Sequence, residues 1–317
     1  KLRRSEFDVT NLVDTTDPVA VGTEVRRIFI ELYDDSLADR IDRFFADAVR
    51  LYRGDYPGYL ACDTWYHDLQ HVMDVTLAMA RLMDGYERSW TVSRPSLGEE
   101  LFLVGVACAL LHDCGYIRRE KDTRHANGAE YTLTHVSRGA KFLRDYLPRM
   151  GMEDWAHVAA QVIHFTGYEL PVERIRLRDP QYRMVGNLLG SADLIAQMSD
   201  RCYLEKCRDR LYPEFVLGGV ARRRMEDGSE MVVFGSAQDL VVKTPTFCRG
   251  AMRRLEEHLG GMYRYAEAHF GGQNLYLEEV SRNLHFADRV SARADLGLLR
   301  RRPPANLPTG LCPAGLQ

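Results

Sequence analysis

The run Ala109-Leu110-Leu111-His112-Asp113-Cys114-Gly115-Tyr116 closes a nearly all-apolar stretch that begins at Leu101. A stretch without polar positions predicts a helix that is buried on every side, at the centre of the fold. His112 and Asp113 would then lie at the buried end of that helix. A polar pair costs free energy there unless something binds it, and an Asp also faces the negative end of the helix dipole. A divalent metal ion is the simplest partner that removes both costs.

The sequence on either side of this run is mostly helical in pattern and predicts an all-α fold. Apolar residues recur at helix-face spacing, which predicts helices over residues 35–52, 67–83, 99–113, 126–147, 154–165, 182–207 and 247–270. Residues 218–246 interrupt the pattern with a turn signal at Asp227-Gly228 and a short apolar run from Met231 to Phe234. We predict a long loop with a short hairpin for this insertion.

The chain has 317 residues, of which 45% are hydrophobic, so that it can bury a sizeable core. No break in composition separates the predicted helices, which favours a single helical domain with N- and C-terminal elaborations. We divide it into N-terminal helices, a central core, a C-terminal helical extension of the same domain and a proline-rich tail that is expected to be disordered, over residues 1–59, 60–200, 201–299 and 300–317.

Charge and composition exclude several classes of partner. The formal net charge is −3, so we expect no extended nucleic acid as a partner. No segment reaches about 18 consecutive apolar residues, so we expect no membrane span. The seven cysteines are scattered without zinc-ribbon spacing, which favours a reducing, cytoplasmic compartment. A homodimer is left open.

Histidine and carboxylate side chains recur in an order that fits a metal site. His67 and His71 lie four residues apart and share one face of a predicted helix. His112 and Asp113 can both reach one ion from a helix end. Imidazole and carboxylate donors without a thiolate suit Mn, Fe, Zn, Mg or Ni rather than a structural zinc site. An Asp can also bridge two ions about 3.5–4 Å apart, which activates a water for in-line attack at phosphorus.

Three motifs follow one another as H…HD…D: Tyr66-His67-Asp68-Leu69-Gln70-His71, then His112-Asp113, then Ala192-Asp193-Leu194. This order resembles the HD-domain superfamily of metal-dependent phosphohydrolases over roughly residues 60–200. The first motif is similar to the YHNxxH element of the cyclic nucleotide phosphodiesterase branch, with Asp68 in place of Asn. The resemblance implies an HD-domain helical bundle with metal ligands at His71, His112, Asp113 and Asp193.

A second set of residues resembles the HD-GYP branch of that superfamily. The run from His135 to Gly139 is similar to its HPxxG motif, and Gly167-Tyr168 is similar to part of its GYP motif. Tyr116 stands where that branch carries Lys. This resemblance implies that His135 and His164 ligate a second ion. In many small HD hydrolases the element around His164 holds no ligand, so the number of ions, one or two, stays open.

The resemblance implies hydrolysis of a phosphoester, with a nucleotide phosphodiester as first choice, by a metal-activated water. Asp113 would be the central carboxylate. His67 stands at the position of the general acid that protonates the leaving oxygen, and an imidazole pKa near 6.5 suits that work. Its alternative role is that of a histidine that supports the site or its helix. The alternative functions are a nucleotide phosphomonoesterase and a non-catalytic metal- or ligand-binding signalling module.

Basic residues follow the His-Asp pair within twelve positions: Arg118, Arg119, Lys121 and Arg124. A small phosphorylated substrate needs positive charge or hydrogen-bond donors at the oxygens that the metal does not bind. These side chains are therefore candidates for substrate binding at the mouth of the pocket. A solvated basic loop is the alternative interpretation.

Overall fold

A computed structural model describes residues 3–305 of the chain, apart from residues 90 and 93. The fold is all-α with one small hairpin, which confirms the predicted fold class. The helices are α1 (Pro18–Leu32), α2 (Asp39–Arg53), α3 (Leu69–Arg88), α4 (Gly98–Leu111), α5 (His135–Tyr146), α6 (Ala156–Val162), α7 (Pro180–Ser199), α8 (Tyr203–Lys206), α9 (Tyr212–Leu217), α10 (Ala237–Glu257), α11 (Tyr265–His269) and α12 (Leu275–Arg293). Short 3-10 turns and one π-turn, Cys207–Leu211, connect them.

The centre of the fold is built from α3, α4 and α7. Every residue of α4 from Leu101 to Leu111 is buried, as the unbroken apolar stretch predicts. α3 packs against α4 on one side and against α1, α7 and α11 on the others. Gly105 allows the close approach of α4 to α3, because a Cβ there would lie 2.6 Å from the Met83 sulfur. This packing places the end of α4 deep in the protein.

Several predicted helices differ from the structure at their ends, and the one predicted over 182–207 is interrupted between Ser199 and Tyr203. The predicted helix over 126–147 begins only at His135, because Asn127 caps a separate 3-10 turn, Gly128–Tyr131. The predicted helix over 247–270 is wrong at both ends. α10 begins at Ala237, where the Ser236 side chain accepts a hydrogen bond from the backbone of Asp239. It ends at Glu257, just before two glycines with positive φ.

The hairpin predicted within residues 218–246 is present. β1 (Arg222–Arg224) and β2 (Glu230–Val232) pair antiparallel, with Arg222 opposite Val232. Both strands are exposed, and Gly228 takes the positive φ of 81° that the connecting turn needs. Beyond β2, the Phe234 ring stacks on Phe215 of α9 with centroids 5.8 Å apart. This contact holds the base of the hairpin against the helical body.

Residues 301–305, which belong to the predicted disordered tail, are hydrogen-bonded to the helical body. The Arg301 backbone nitrogen donates to Glu205 at 3.1 Å, and the Pro304 carbonyl accepts from Arg210. Residues 306–317 of that predicted tail lie outside the described residues. Within the described part of the chain, no helix has the length and apolar character needed to cross a membrane.

Gly115 brings the segment after α4 against the beginning of α5. A Cβ at Gly115 would lie 1.8 Å from the His135 carbonyl oxygen. The Arg138 side chain donates to the Gly115 carbonyl at 2.7 Å and to the Ile117 carbonyl at 3.1 Å, which closes the contact from the other side. The distance between Asp113 and His135 therefore depends on a glycine at position 115.

We predict that Gly115→Ala lowers the free energy of unfolding by about 1–3 kcal/mol, because backbone atoms must move to admit the methyl group. Urea denaturation with chelator present measures this without a metal contribution. Gly250→Ala is the matched control, since a Cβ at that position in α10 meets no atom within 4 Å. It should raise stability by about 0.5–1 kcal/mol. Unchanged stability of Gly115→Ala would show that the segment is free to move away from α5.

Candidate metal centre

His112 and Asp113 occupy the buried end of α4. His112 keeps helical backbone angles, and Asp113 leaves the helix with φ −100° and ψ 4°. The ring of His112 lies 2.7 Å through Nδ1 from the Ala109 carbonyl. A carbonyl can only accept, so Nδ1 carries the hydrogen, and the neutral ring has its lone pair on Nε2. That nitrogen lies 3.1 Å from Oδ2 of Asp113.

Two further helices bring His71 and Asp193 to the same place. His71 lies in the first turn of α3, and Asp193 lies in the buried middle of α7, which packs along α3. Asp68 caps α3 by accepting from the His71 backbone nitrogen at 2.9 Å. The family that this motif resembles carries Asn at the position of Asp68. Aspartate also suits that position, because either side chain caps a helix.

The cluster is compact and buried. Nε2 of His71 lies 3.2 Å from Oδ2 of Asp113 and 3.5 Å from Oδ1 of Asp193. One ligand atom each from His71, His112 and Asp193 lies within 4.8 Å of the other two. Nε2 of His112 and Oδ2 of Asp113 have no hydrogen-bond partner of their own. Such atoms cost about 1–3 kcal/mol each when left unsatisfied, and a cation between them removes that cost. The cluster could hold a metal ion.

The titration of these groups also fits ligand chemistry. Burial would raise the pKa of Asp113, but the imidazoles of His112, His67 and His71 hold it well below its usual range. Burial would lower the pKa of His71, but the carboxylates of Asp113 and Asp193 raise it to about 10. A metal ion must therefore displace a proton from His71, so metal affinity should fall as the pH falls.

His135 faces the other oxygen of the central carboxylate. Its Nε2 lies 3.5 Å from Oδ1 of Asp113, and its Nδ1 donates to the Thr132 carbonyl at 2.8 Å. Burial lowers the pKa of His135, which favours the neutral ring that can bind a metal. Asp113 thus has His71 and His112 beside Oδ2 and His135 beside Oδ1. This is the arrangement of a carboxylate that could bridge two ions.

His164 is not brought to this cluster. It lies in the 3-10 turn Ile163–Phe165, and its charged neighbours are Glu169 and Arg144. Its ring is half-buried, and Nδ1 has no hydrogen-bond partner. A cavity opens beside the cluster of His71, Asp113 and Asp193. The described residues that line it include Thr166 and Gly167 but not His164.

His67 is held at the edge of the cluster by Glu214 of α9. The two side chains meet at 2.6 Å, between Nδ1 and Oε1. Glu214 is fully buried and also accepts from the backbone nitrogens of Tyr66 and His67. Burial would lower the pKa of His67, but Glu214 and Asp113 raise it above its usual value. We had no sequence signal for Glu214, because it is 147 residues from its partner.

A cavity of about 670 Å³ opens from the side-chain cluster around Asp113, which we call the metal cluster. His67, His71, Asp113, His135 and Asp193 lie along one part of its wall. Apolar and aromatic residues from the region after residue 200 also line it: Tyr203, Leu211, Phe215, Val220, Val233, Phe234, Leu240 and Phe247. The insertion and α10 therefore contribute to the wall of this cavity.

The four basic residues predicted to bind substrate lie elsewhere. Arg118 pairs with Asp63 at 2.9 Å, and the Arg119 guanidinium lies over the Tyr59 ring. Lys121 and Arg124 are exposed in the loop. None of the four is among the described residues that line the cavity, and the cationic side chains that line it are Arg223 and Lys243.

No family model, curated protein or solved structure matches this chain. The arguments for its function therefore come from the geometry of the site and from the sequence motifs.

We predict that chelation lowers the melting temperature of the protein, because an ion that binds only the folded state stabilises it by RT ln(1 + [M]/Kd). Asp113→Asn should weaken metal binding and abolish that shift. In chelated protein the same change should lower stability, because it removes the carboxylate that pairs with His71 and whose pKa the neighbouring imidazoles hold low. Paired thermal melts of both proteins, with and without chelator, test this. A wild-type melt that chelator leaves unmoved would refute the metal centre.

A second prediction concerns the number of ions. His135→Ala should lower the bound metal per chain, because His135 reaches the free oxygen of Asp113. His164→Ala should leave the metal content unchanged, because the structure places His164 away from the cluster. Elemental analysis of the two variants beside wild type makes the comparison. A loss of metal in His164→Ala alone would contradict the geometry.

Proposed function

We propose that this protein is a metal-dependent phosphohydrolase that cleaves a phosphodiester, with a nucleotide as the preferred substrate class. The observation that carries the proposal is the buried cluster around Asp113. Nε2 of His112 and Oδ2 of Asp113 lack hydrogen-bond partners. The cluster opens directly into a cavity of about 670 Å³. Binding sites for small molecules have volumes of about 300–1,000 Å³.

When bound, a divalent ion supplies Lewis-acid activation of the phosphoryl group and of a water. His71, His112, Asp113 and Asp193 would hold the first ion, and His135 with Asp113 would contribute to a second. The resemblance to the HD-domain superfamily supports the same assignment. Because the two aspartates and three histidines converge from four separate parts of the chain, the folded core pre-organises the ligands.

His67 fits the role of the general acid. Glu214 accepts the hydrogen of Nδ1, which fixes the ring and leaves Nε2 as the nitrogen available to a substrate. The raised pKa of His67 favours the protonated ring that a general acid needs. His67 also lines the cavity beside the ligand His71. A protonated imidazole there can donate its Nε2 proton to the leaving oxygen.

The charge of the cavity favours a diester over a monoester. A phosphodiester carries one negative charge and a monoester carries close to two. Among the described residues of the wall, Arg223 and Lys243 are the arginine and the lysine; both are exposed, and Lys243 already pairs with Asp239. The apolar and aromatic wall suits a flat base, and Gln197 adds an amide that can hydrogen-bond to it. These features support a nucleotide diester.

The proposal is tested with chelated protein to which Mn, Fe, Zn, Mg or Ni is returned singly. We expect hydrolysis of cyclic nucleotides and of bis-p-nitrophenyl phosphate, and weaker hydrolysis of nucleotide monophosphates. His258→Ala is a control, because His258 is exposed and pairs with Glu173 away from the site. Faster monoester cleavage would assign a phosphomonoesterase instead. Metal binding without hydrolysis of any phosphoester would assign a non-catalytic module.

We also predict that His67→Ala keeps the metal but loses about 10²–10⁴ in turnover on a substrate with a poor leaving group. A p-nitrophenyl ester needs no protonation of its leaving group and should lose less. Steady-state rates on a cyclic nucleotide and on the p-nitrophenyl diester give the two values. Equal losses on both substrates would contradict the role of His67 as an acid.

A further inference from the structure

A second cavity, of about 910 Å³, lies between α12, the turn after α7 and residues 300–302. It shares no lining residue with the cavity at the metal cluster. We call it the arginine cleft, after the six arginines that line it: Arg201, Arg282, Arg289, Arg300, Arg301 and Arg302. Glu6 is the acidic residue among its described lining residues. Such a concentration of one charge stands out in a chain with a net charge of −3.

Most of this charge is not neutralised within the described part of the chain. Arg282 pairs with Glu278 and Glu279 on its own helix. The other five guanidinium groups make no ion pair with a described carboxylate. Residues 306–317 contain no Asp or Glu that could pair with them. Clustered like charges repel one another, and a bound anion would relieve that repulsion.

Two of these arginines, Arg289 and Arg301, are also held in place. The Arg301 guanidinium donates to the Arg201 carbonyl and lies 3.4 Å from Oδ1 of Asn283. Arg289 and Arg301 both lie over the ring of Phe286, at 5.5 and 5.4 Å from its centroid. Guanidinium groups fixed in this way lose less entropy when they bind, and their planar donors match phosphate oxygens in pairs.

We propose that the arginine cleft binds a ligand with several adjacent phosphates, either a nucleoside triphosphate or an inorganic oligophosphate. Because five arginines have no ion pair, a ligand with more than one negative charge would neutralise them best. A long nucleic acid is disfavoured, because it would extend from a cleft of this size over a protein of net negative charge. The proposal does not depend on the activity at the metal cluster.

The test is calorimetric titration of the whole chain, in chelator, with ATP and separately with tripolyphosphate. Wild type should bind both saturably. The double variant Arg289→Gln/Arg302→Gln should bind both about tenfold more weakly or worse, since it loses two charge-assisted contacts. The control Arg293→Gln/Arg43→Gln removes the same charge from exposed sites outside the cleft and should change binding by about twofold at most. Tighter binding of ATP than of tripolyphosphate would identify the nucleotide as the source.

Several results would overturn the proposal. These are no saturable binding of either ligand by wild type, equal weakening by the two double variants, or unchanged binding by the cleft variant. Displacement of tripolyphosphate by a single-stranded oligonucleotide of much higher affinity would replace it with a nucleic-acid interface. Arg289 and Arg302 are exposed, so the fold should tolerate their loss. Arg302→Gln alone repeats the test if the double variant is unstable.

Discussion

Two buried carboxylates, Asp113 and Asp193, share one cluster with the imidazoles of His71 and His112. Two anions in a dry environment repel each other, and each separately resists removal from water. Burial would lower the pKa of His112, but Asp113 and Asp193 raise it. When the ring is neutral, its hydrogen bond to the Ala109 carbonyl turns a lone pair toward Asp113. A proton on His71 offsets only part of this charge. A divalent cation would offset all of it, so that the stability of the core would be linked to the binding of metal.

That link explains which parts of the site could be predicted from the sequence. The apolar stretch of α4 predicts its own burial, because a helix that is apolar on every face has no polar face to turn toward water. A His-Asp pair at the end of such a helix then predicts a cation. Periodicity predicts that His71 and Asp193 lie on helices. Only the resemblance to the HD-domain superfamily predicts that both lie beside Asp113. The structure brings these four residues together.

Contacts between distant segments could not be predicted in this way. Glu214 has no local pattern that marks it as the partner of His67, since it lies in an ordinary short helix after a π-turn. The basic loop after Asp113 looked suited to phosphate binding because it is close in sequence. Arg118 is instead drawn to Asp63, a residue 55 positions earlier that no periodicity identifies. His164 keeps the expected order along the chain, but its turn directs it toward Arg144 and Glu169.

The region after residue 200 changes how the site should be understood. The ligand helices α3, α4, α5 and α7 supply one side of the cavity, with the metal cluster and His135. Glu214 of α9 fixes His67, while the insertion and α10 supply the aromatic wall and the cations Arg223 and Lys243. The central core alone would therefore hold a metal ligand set that is open to water, with His67 unsupported. Because electrostatic interactions strengthen as water is excluded, the later helices would strengthen the interactions of any ligand inside the cavity.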